Sequence, residues 1–372
     1  MSRSGRLEFL RKELKEMGLG ILLVTDAKNC RYLSGFTGSS GWLVVTTEDC
    51  FLITDGRYWD QVARESPETR LFKFVAAEHE SLAGALICLL EERNLTEPLG
   101  LETTGMSLSV YRSLQSTLEQ NKRQADDVES LVQAQREIKD AAEIAFLRKA
   151  AEIADEALAR ALTEFGPGKR EAELKALIEY NILMLGGEST SFSTIVASGP
   201  NGSYPHAGAS QREVQEGELI TIDFGAVYHG YCSDMTRTIW YGGLSDRARL
   251  ILGATREAQA LALNAVTAGV KASELDRVAR GHLEKAQLAE FFVHSLGHGV
   301  GLEVHEAPAL RKQNDDPLRA GQVVTIEPGV YVPGDTGCRV EDTVVVTSGS
   351  PDILNRFPKQ PLERDRPLTS TV

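Results

Sequence analysis

Apolar side chains recur at Leu7, Leu10, Leu14 and Met17, a three-to-four-residue spacing that places them on one face of a helix ending at Gly18. The run over 19–24 is continuously apolar and reads as a strand. Further strands are predicted over 42–46, 51–54 and 71–74, and helical periodicity returns near 81–92 and 107–119. Strands alternating with helices in this way build a compact α/β domain.

Beyond a junction near 132–137 the pattern changes to long helices and long hairpins. Helices are predicted over about 141–164, ending at Gly166-Pro167, and over about 170–185. Strands then lead to a hairpin with arms 219–225 and 231–240, folded near Tyr228 and His229. A second helix pair, about 246–268 and 272–287, precedes another hairpin with arms 323–327 and 339–346 and a loop over 333–337. The organisation therefore repeats itself. The fold class is α/β (α+β), with an N-terminal domain over 1–131 and a larger domain of two similar halves over 132–372.

Each hairpin carries acids inside apolar arms. Asp223 and Asp234 should lie about opposite each other in the first, and Glu327 and Glu341 repeat the device in the second. An isolated Asp at a strand end is ordinarily a turn or solvated residue. Two acid-bearing hairpins with His298 between them, flanked by Gly297 and Gly299, ask for more. Four carboxylates aimed at one point repel and raise one another's pKa unless cations sit among them. With one imidazole the set is hard and oxygen-rich, suited to two divalent metal ions; manganese is expected, with cobalt or zinc as alternatives. The glycines are read as permitting close approach of backbone to a ligand. No His-Glu-x-x-His pattern occurs, which disfavours a single zinc on a helix. Asp342, next to Glu341, should face the other way. Two ions sharing a water lower its pKa and make a hydroxide nucleophile at working pH.

The stretch from Ser198-Gly199-Pro200-Asn201 to His206, the His- and Gly-rich stretch from His294 to Pro308, and Arg339-Val340-Glu341 together resemble the pita-bread metallopeptidases, in the branch holding aminopeptidase P, prolidase and creatinase. The resemblance spans essentially the whole chain, and the segments 29–38 and 54–58 look like a creatinase-type N-terminal domain. It implies that Asp223 binds one metal, His298 and Glu327 the other, and that Asp234 and Glu341 bridge, which leaves Glu327 as the candidate to relay the proton of the attacking water to the leaving amine. It also implies that His206 and His305 act near the substrate carbonyl and that His294 and Arg339 belong to the substrate-binding side. His294 would stand beside a proline pocket, and Arg339 would hold an acidic neighbour. The implied substrates are peptides with proline in the second position, and the implied assembly is a homodimer. The loop over 35–41 either borders an active site, even that of a neighbouring subunit, or is an ordinary surface turn.

Composition narrows the classes. The 372 residues are 42% hydrophobic, enough for a sizeable core. Lys and Arg total 40 against 53 acids, a net charge of −13, which argues against nucleic acid or an anionic membrane as partner. Five scattered cysteines suit a reducing, cytoplasmic location, with Cys232 and Cys338 read as small buried residues. The N-terminus passes directly into a charged helix, so neither signal peptide nor membrane span is expected. The expected activity is an Xaa-Pro aminopeptidase. A prolidase acting on dipeptides, a methionine aminopeptidase or other hydrolase on the same scaffold, and a non-enzymatic binding protein are the alternatives.

Overall fold

The computed structural model describes residues 2–359. The chain forms two compact units, divided between Arg136 and Glu137.

In the N-terminal unit a six-stranded sheet runs in the order Arg70–Lys73, Cys50–Thr54, Trp42–Thr46, Ile21–Val24, Leu99–Glu102, Ala125–Val128. The two inner hairpin-type pairings are antiparallel and the outer three are parallel. Short helices such as Trp59–Glu65 and Leu108–Gln120 link strands that pair in parallel, as a parallel connection requires. Ile21, Leu22, Leu23 and Val24 are completely buried, which is why this strand is apolar without alternation. The helix Arg3–Glu16 buries Leu7, Leu10 and Leu14 but not Met17. Met17 is the C-terminal cap and stays 52% exposed, because the helix stops before its side chain can join the stripe. Sequence periodicity passes over the helices Ala27–Ser34 and Trp59–Glu65 and the strands Leu99–Glu102 and Ala125–Val128. Each is too short to express a period.

The larger unit is built twice over from a helix pair followed by a hairpin. The first pair is Ala141–Glu164 and Glu171–Met184, the second Asp246–Asn264 and Ala272–Lys285. Asp140 starts the longest helix with a capping box, its side chain accepting from Glu143 N while Glu143 caps it in return. Small residues at 150, 151, 154, 157 and 161 let this helix press closely on its neighbours. No helix among the described residues is long and apolar enough to cross a membrane.

Both hairpins are broken in mid-arm, and the pieces join different sheets. In the first, Ile220–Phe224 pairs with Met235–Ile239, while Ala226–Tyr228 pairs with Tyr231–Cys232 in a separate sheet. A Cβ on Gly225 would lie 1.8 Å from Ser233 O, so only glycine fits at this break. In the second, Val323–Ile326 pairs with Asp342–Val345 and Gly329–Val332 with Thr336–Arg339. The interruptions leave Asp234, Glu327 and Glu341 outside the regular ladders.

The two hairpins are stitched to each other. Thr238 Oγ1 donates to Arg339 O at 2.8 Å, and Glu341 N to Thr236 O at 3.1 Å. Arg237, fully buried, donates to Asp342 Oδ1 at 2.9 Å. Lys359 and Gln259 also reach the Asp342 carboxylate. Asp342 does turn away from the acidic cluster, but into a buried ion-paired network rather than into water. Removing one partner of such a pair costs roughly 3–5 kcal/mol, since the other charge is left stranded.

Candidate metal centre

Register decides how the acids meet. Across the first hairpin Asp223 stands opposite Thr236, not Asp234. Asp234 is two residues short of that partner, a diagonal neighbour that still points to the same face. In the second hairpin the pairs Ile326–Asp342 and Gly329–Arg339 bracket Glu327 and Glu341, which therefore lie directly across from each other. The expectation of two equivalent acid pairs thus needs correcting for the first.

All five side chains, Asp223, Asp234, His298, Glu327 and Glu341, line one cavity of about 540 Å³. Ligand atoms of Asp234, His298 and Glu341 lie within 4.8 Å of one another. His298 Nε2 is 3.1 Å from Glu327 Oε1 and 3.6 Å from Asp234 Oδ2. His298 Nδ1 is 3.1 Å from Gly299 O, and a carbonyl only accepts, so Nδ1 carries the proton and Nε2 is turned toward the acids. Gly297 and Gly299 are needed for strand packing: a Cβ would come within 2.0 Å of Thr325 O or 2.2 Å of Ala307 O. Their role is thus to admit neighbouring backbone, not a ligand as the sequence suggests.

The electrostatics are those of a cation site. Burial, then repulsion from neighbouring acids, pushes Asp234 and Glu341 well above the usual carboxylate range. Burial also raises Asp223, against the opposing pull of Arg339. Burial works against charge on both His298 and Glu327, but their mutual hydrogen bond and attraction prevail: Glu327 falls to about 2 and His298 rises. Asp223 Oδ1 and Glu341 Oε1 are buried with no hydrogen-bond partner among the described residues. Unpartnered buried carboxylate oxygens are costly unless something positive faces them. The donor set fits a pair of divalent ions: Asp223, Asp234, His298, Glu327 and Glu341 could hold them.

Residues 145–348 match metallopeptidase family M24, and residues 6–138 match the creatinase/prolidase N-terminal domain. The chain belongs to metallopeptidase family M24. It has the pita-bread fold of the aminopeptidase P and prolidase branch of that family. Over 356 residues it is 36% identical to the uncharacterized peptidase YqhT of Bacillus subtilis, covering 95% of this chain and 99% of the other. The solved Xaa-Pro dipeptidase from Bacillus anthracis matches with a TM-score of 0.90 at 34% identity, over 97% of this chain and 100% of that one. The X-Pro aminopeptidase from Thermotoga maritima MSB8 matches with a TM-score of 0.86 at 34% identity, over 94% and 99%.

In this M24 metallopeptidase the other predicted site residues also border the cavity: His206, His294, His305 and Arg339. His305 is exposed on its outer side, but its ring centroid lies 4.2 Å from that of His298, and partial desolvation there, then the nearby His298 charge, lower its pKa. His294 Nδ1 is 2.7 Å from Ser295 O and must donate, so the neutral ring accepts at Nε2 from Tyr331 OH, 3.0 Å away. Burial lowers its pKa and favours that neutral form. With both nitrogens occupied, His294 has no free nitrogen to offer the cavity it lines. Arg339 is buried and donates to Asp223 Oδ2, Thr236 Oγ1, Tyr331 OH and Pro205 O. It therefore grips Asp223 from behind.

Three contributors escape sequence reading in this metallopeptidase. Thr236 Oγ1 donates to Glu341 Oε2 at 2.7 Å while accepting from Arg339 Nε at 3.0 Å. Tyr331 joins Arg339 to His294. Thr325 Oγ1 donates to Glu327 Oε1 at 3.1 Å and accepts from His298 N at 3.0 Å. Threonine and tyrosine in strands are ordinarily propensity choices, so only register could single these out.

Proposed function

We propose that this protein is an Xaa-Pro peptidase of the aminopeptidase type, removing the residue that precedes a proline. The observation that carries the proposal is one cavity bordered by the five acid and imidazole ligands, by His206 and His305, and by His294 together with apolar Phe192, Ile195 and Ala207. The proposed ligation has Asp223 on one ion, His298 and Glu327 on the other, and Asp234 and Glu341 bridging; manganese is the proposed metal. Two divalent ions held there would lower the pKa of a shared water toward neutrality and polarise the scissile carbonyl.

The protein's own groups account for the rest. His206 and His305 donate to the carbonyl oxygen as it gains negative charge. Glu327 takes the proton of the attacking water and returns it to the prolyl nitrogen. Its carboxyl is held down to about 2 by the hydrogen bond and charge of His298 against the opposing effect of burial, so it is present as a carboxylate able to accept. Proline's tertiary amide has no N–H to be gripped, so selection rests on ring shape, which His294 and the apolar side chains lining the cavity can supply.

Chain length is the finer point. A dipeptidase closes its pocket on a terminal carboxylate, ordinarily with a cation. Arg339 is the one arginine or lysine lining the cavity among the described residues, and it is committed to Asp223. That supports an open far side and substrates longer than two residues. The Xaa-Pro dipeptidase reading has its own support in the Bacillus anthracis structure, which matches at the same identity as the Thermotoga maritima aminopeptidase. A cytoplasmic location is supported by five cysteines that are all unpaired, and a homodimer is proposed from the family resemblance.

Measured kcat/KM on Ala-Pro, Ala-Pro-Ala, a five-residue Ala-Pro peptide and Ala-Ala-Ala tests this. Ala-Pro-Ala and the longer peptide should be cleaved at least as well as Ala-Pro, and far better than Ala-Ala-Ala. Strong preference for the dipeptide moves the assignment to prolidase, and equal cleavage of Ala-Ala-Ala removes proline specificity.

A further inference from the structure

His206 reaches the cavity from a segment with little regular structure. The strand Ile195–Ser198 ends, one turn of 3-10 helix covers Gly199–Ser203, and the chain then runs irregularly to Ser210. His206 itself is exposed, so its place depends on how its backbone is held. On the cavity side that backbone is tied by Arg339 Nη1, which donates to Pro205 O at 3.2 Å.

On the other side stands Glu171, the first residue of the helix Glu171–Met184 and completely buried. Its Oε1 accepts from Ser198 N and Ser198 Oγ, both at 2.7 Å. Its Oε2 accepts from Asn201 Nδ2 at 2.8 Å, Ser210 N at 3.0 Å and Ser210 Oγ at 2.6 Å. Asn201 Nδ2 also lies 3.4 Å from Gly208 O, crossing the segment from one limb to the other. A single carboxylate therefore accepts five hydrogen bonds from both ends of the segment over 198–210. It sits on a helix packed in the core by Leu174, Ile178 and Ile182, so the clamp is rigid.

The geometry points to Glu171 as a positioning residue for His206: by closing both ends of the 198–210 segment onto one helix, it sets where the His206 imidazole stands over the cavity. This rests on the reading of His206 as a substrate-facing donor. A buried acceptor that satisfies five donors cannot be replaced by an amide without opposing donor to donor, so even an isosteric change loosens the segment.

The test is a double-mutant cycle on metal-loaded protein with an Ala-Pro-Ala substrate, comparing Glu171→Gln, His206→Ala and the pair. Glu171→Gln should retain wild-type metal content and circular dichroism while losing about tenfold or more in kcat/KM; in the His206→Ala background it should cost less than about twofold, because coupled residues are not additive. Asn201→Ala, which removes one donor and the crossing contact, should show the same non-additivity at smaller scale, and it decides the matter if Glu171→Gln fails to fold. Equal losses in both backgrounds, or wild-type activity of Glu171→Gln, overturn the clamp. Wild-type activity of His206→Ala instead overturns the role given to His206.

Discussion

His298 Nε2 lies 3.1 Å from Glu327 Oε1, and this contact drives the two groups in opposite directions, Glu327 down to about 2 and His298 up. Asp234 and Glu341 are likewise pushed well above the usual carboxylate range. The shifts of His298, Asp234 and Glu341 are all upward, so a metal ion must compete with protons at these groups and its uptake should weaken as pH falls. Calorimetry of manganese binding at pH 7 in buffers of different ionisation enthalpy should show that competition as proton release. Binding heats independent of buffer would contradict it.

Removing the ions by chelation should abolish activity, and manganese should restore it. Asp234→Asn and Glu341→Gln should each reduce metal content and lower activity by at least roughly two orders of magnitude, since in the proposed ligation each carboxylate bridges both ions. Metal analysis beside turnover is the check, and full activity in either variant would remove the assigned cluster.

The exposed histidines should behave differently from His298. His206→Ala and His305→Ala should keep near-normal metal content and lose roughly 10²-fold in turnover, the usual scale for deleting an oxyanion donor. His298→Ala should lose metal. If His305→Ala empties the site while His298→Ala keeps both ions, the roles are reversed.

A buried acid in the N-terminal unit sets a separate pH dependence. Glu102 accepts from Asn29 Nδ2 at 2.8 Å, its Oε2 has no partner among the described residues, and burial raises its pKa to about 7. A raised folded-state pKa means this contribution to stability is fully present below the unfolded value near 4.5 and is lost as pH rises through about 7. Glu102→Gln should therefore raise Tm at pH 8 and change it little at pH 5. A Tm difference that is the same at both pH values would show that Glu102 does not titrate in this window.

Much of the site could be read from residue types and spacing, because charge in an apolar strand is chemically conspicuous. Asp223, Asp234, Glu327 and Glu341 announce themselves against Ile, Val and Phe neighbours, and His298 against its glycines. The long helices were equally legible, since Ala141–Glu164 and Asp246–Asn264 express several turns of a 3.6-residue period. What the chain could not disclose is where pairing breaks. Asp223 across from Thr236 and Glu327 across from Glu341 follow from a register that runs unchanged through both breaks, while the breaks themselves, made by close contacts such as Gly225 against Ser233 O, take Asp234, Glu327 and Glu341 out of the ladders. The same holds for the groups that support the ligands. Thr236, Tyr331 and Glu171 are ordinary residues until folding sets a guanidinium, an imidazole or five donors within hydrogen-bond reach of them. Local sequence determines which chemistry is present, because that depends on residue type; which groups share a proton, an ion or a clamp is set by distances that only long-range packing creates.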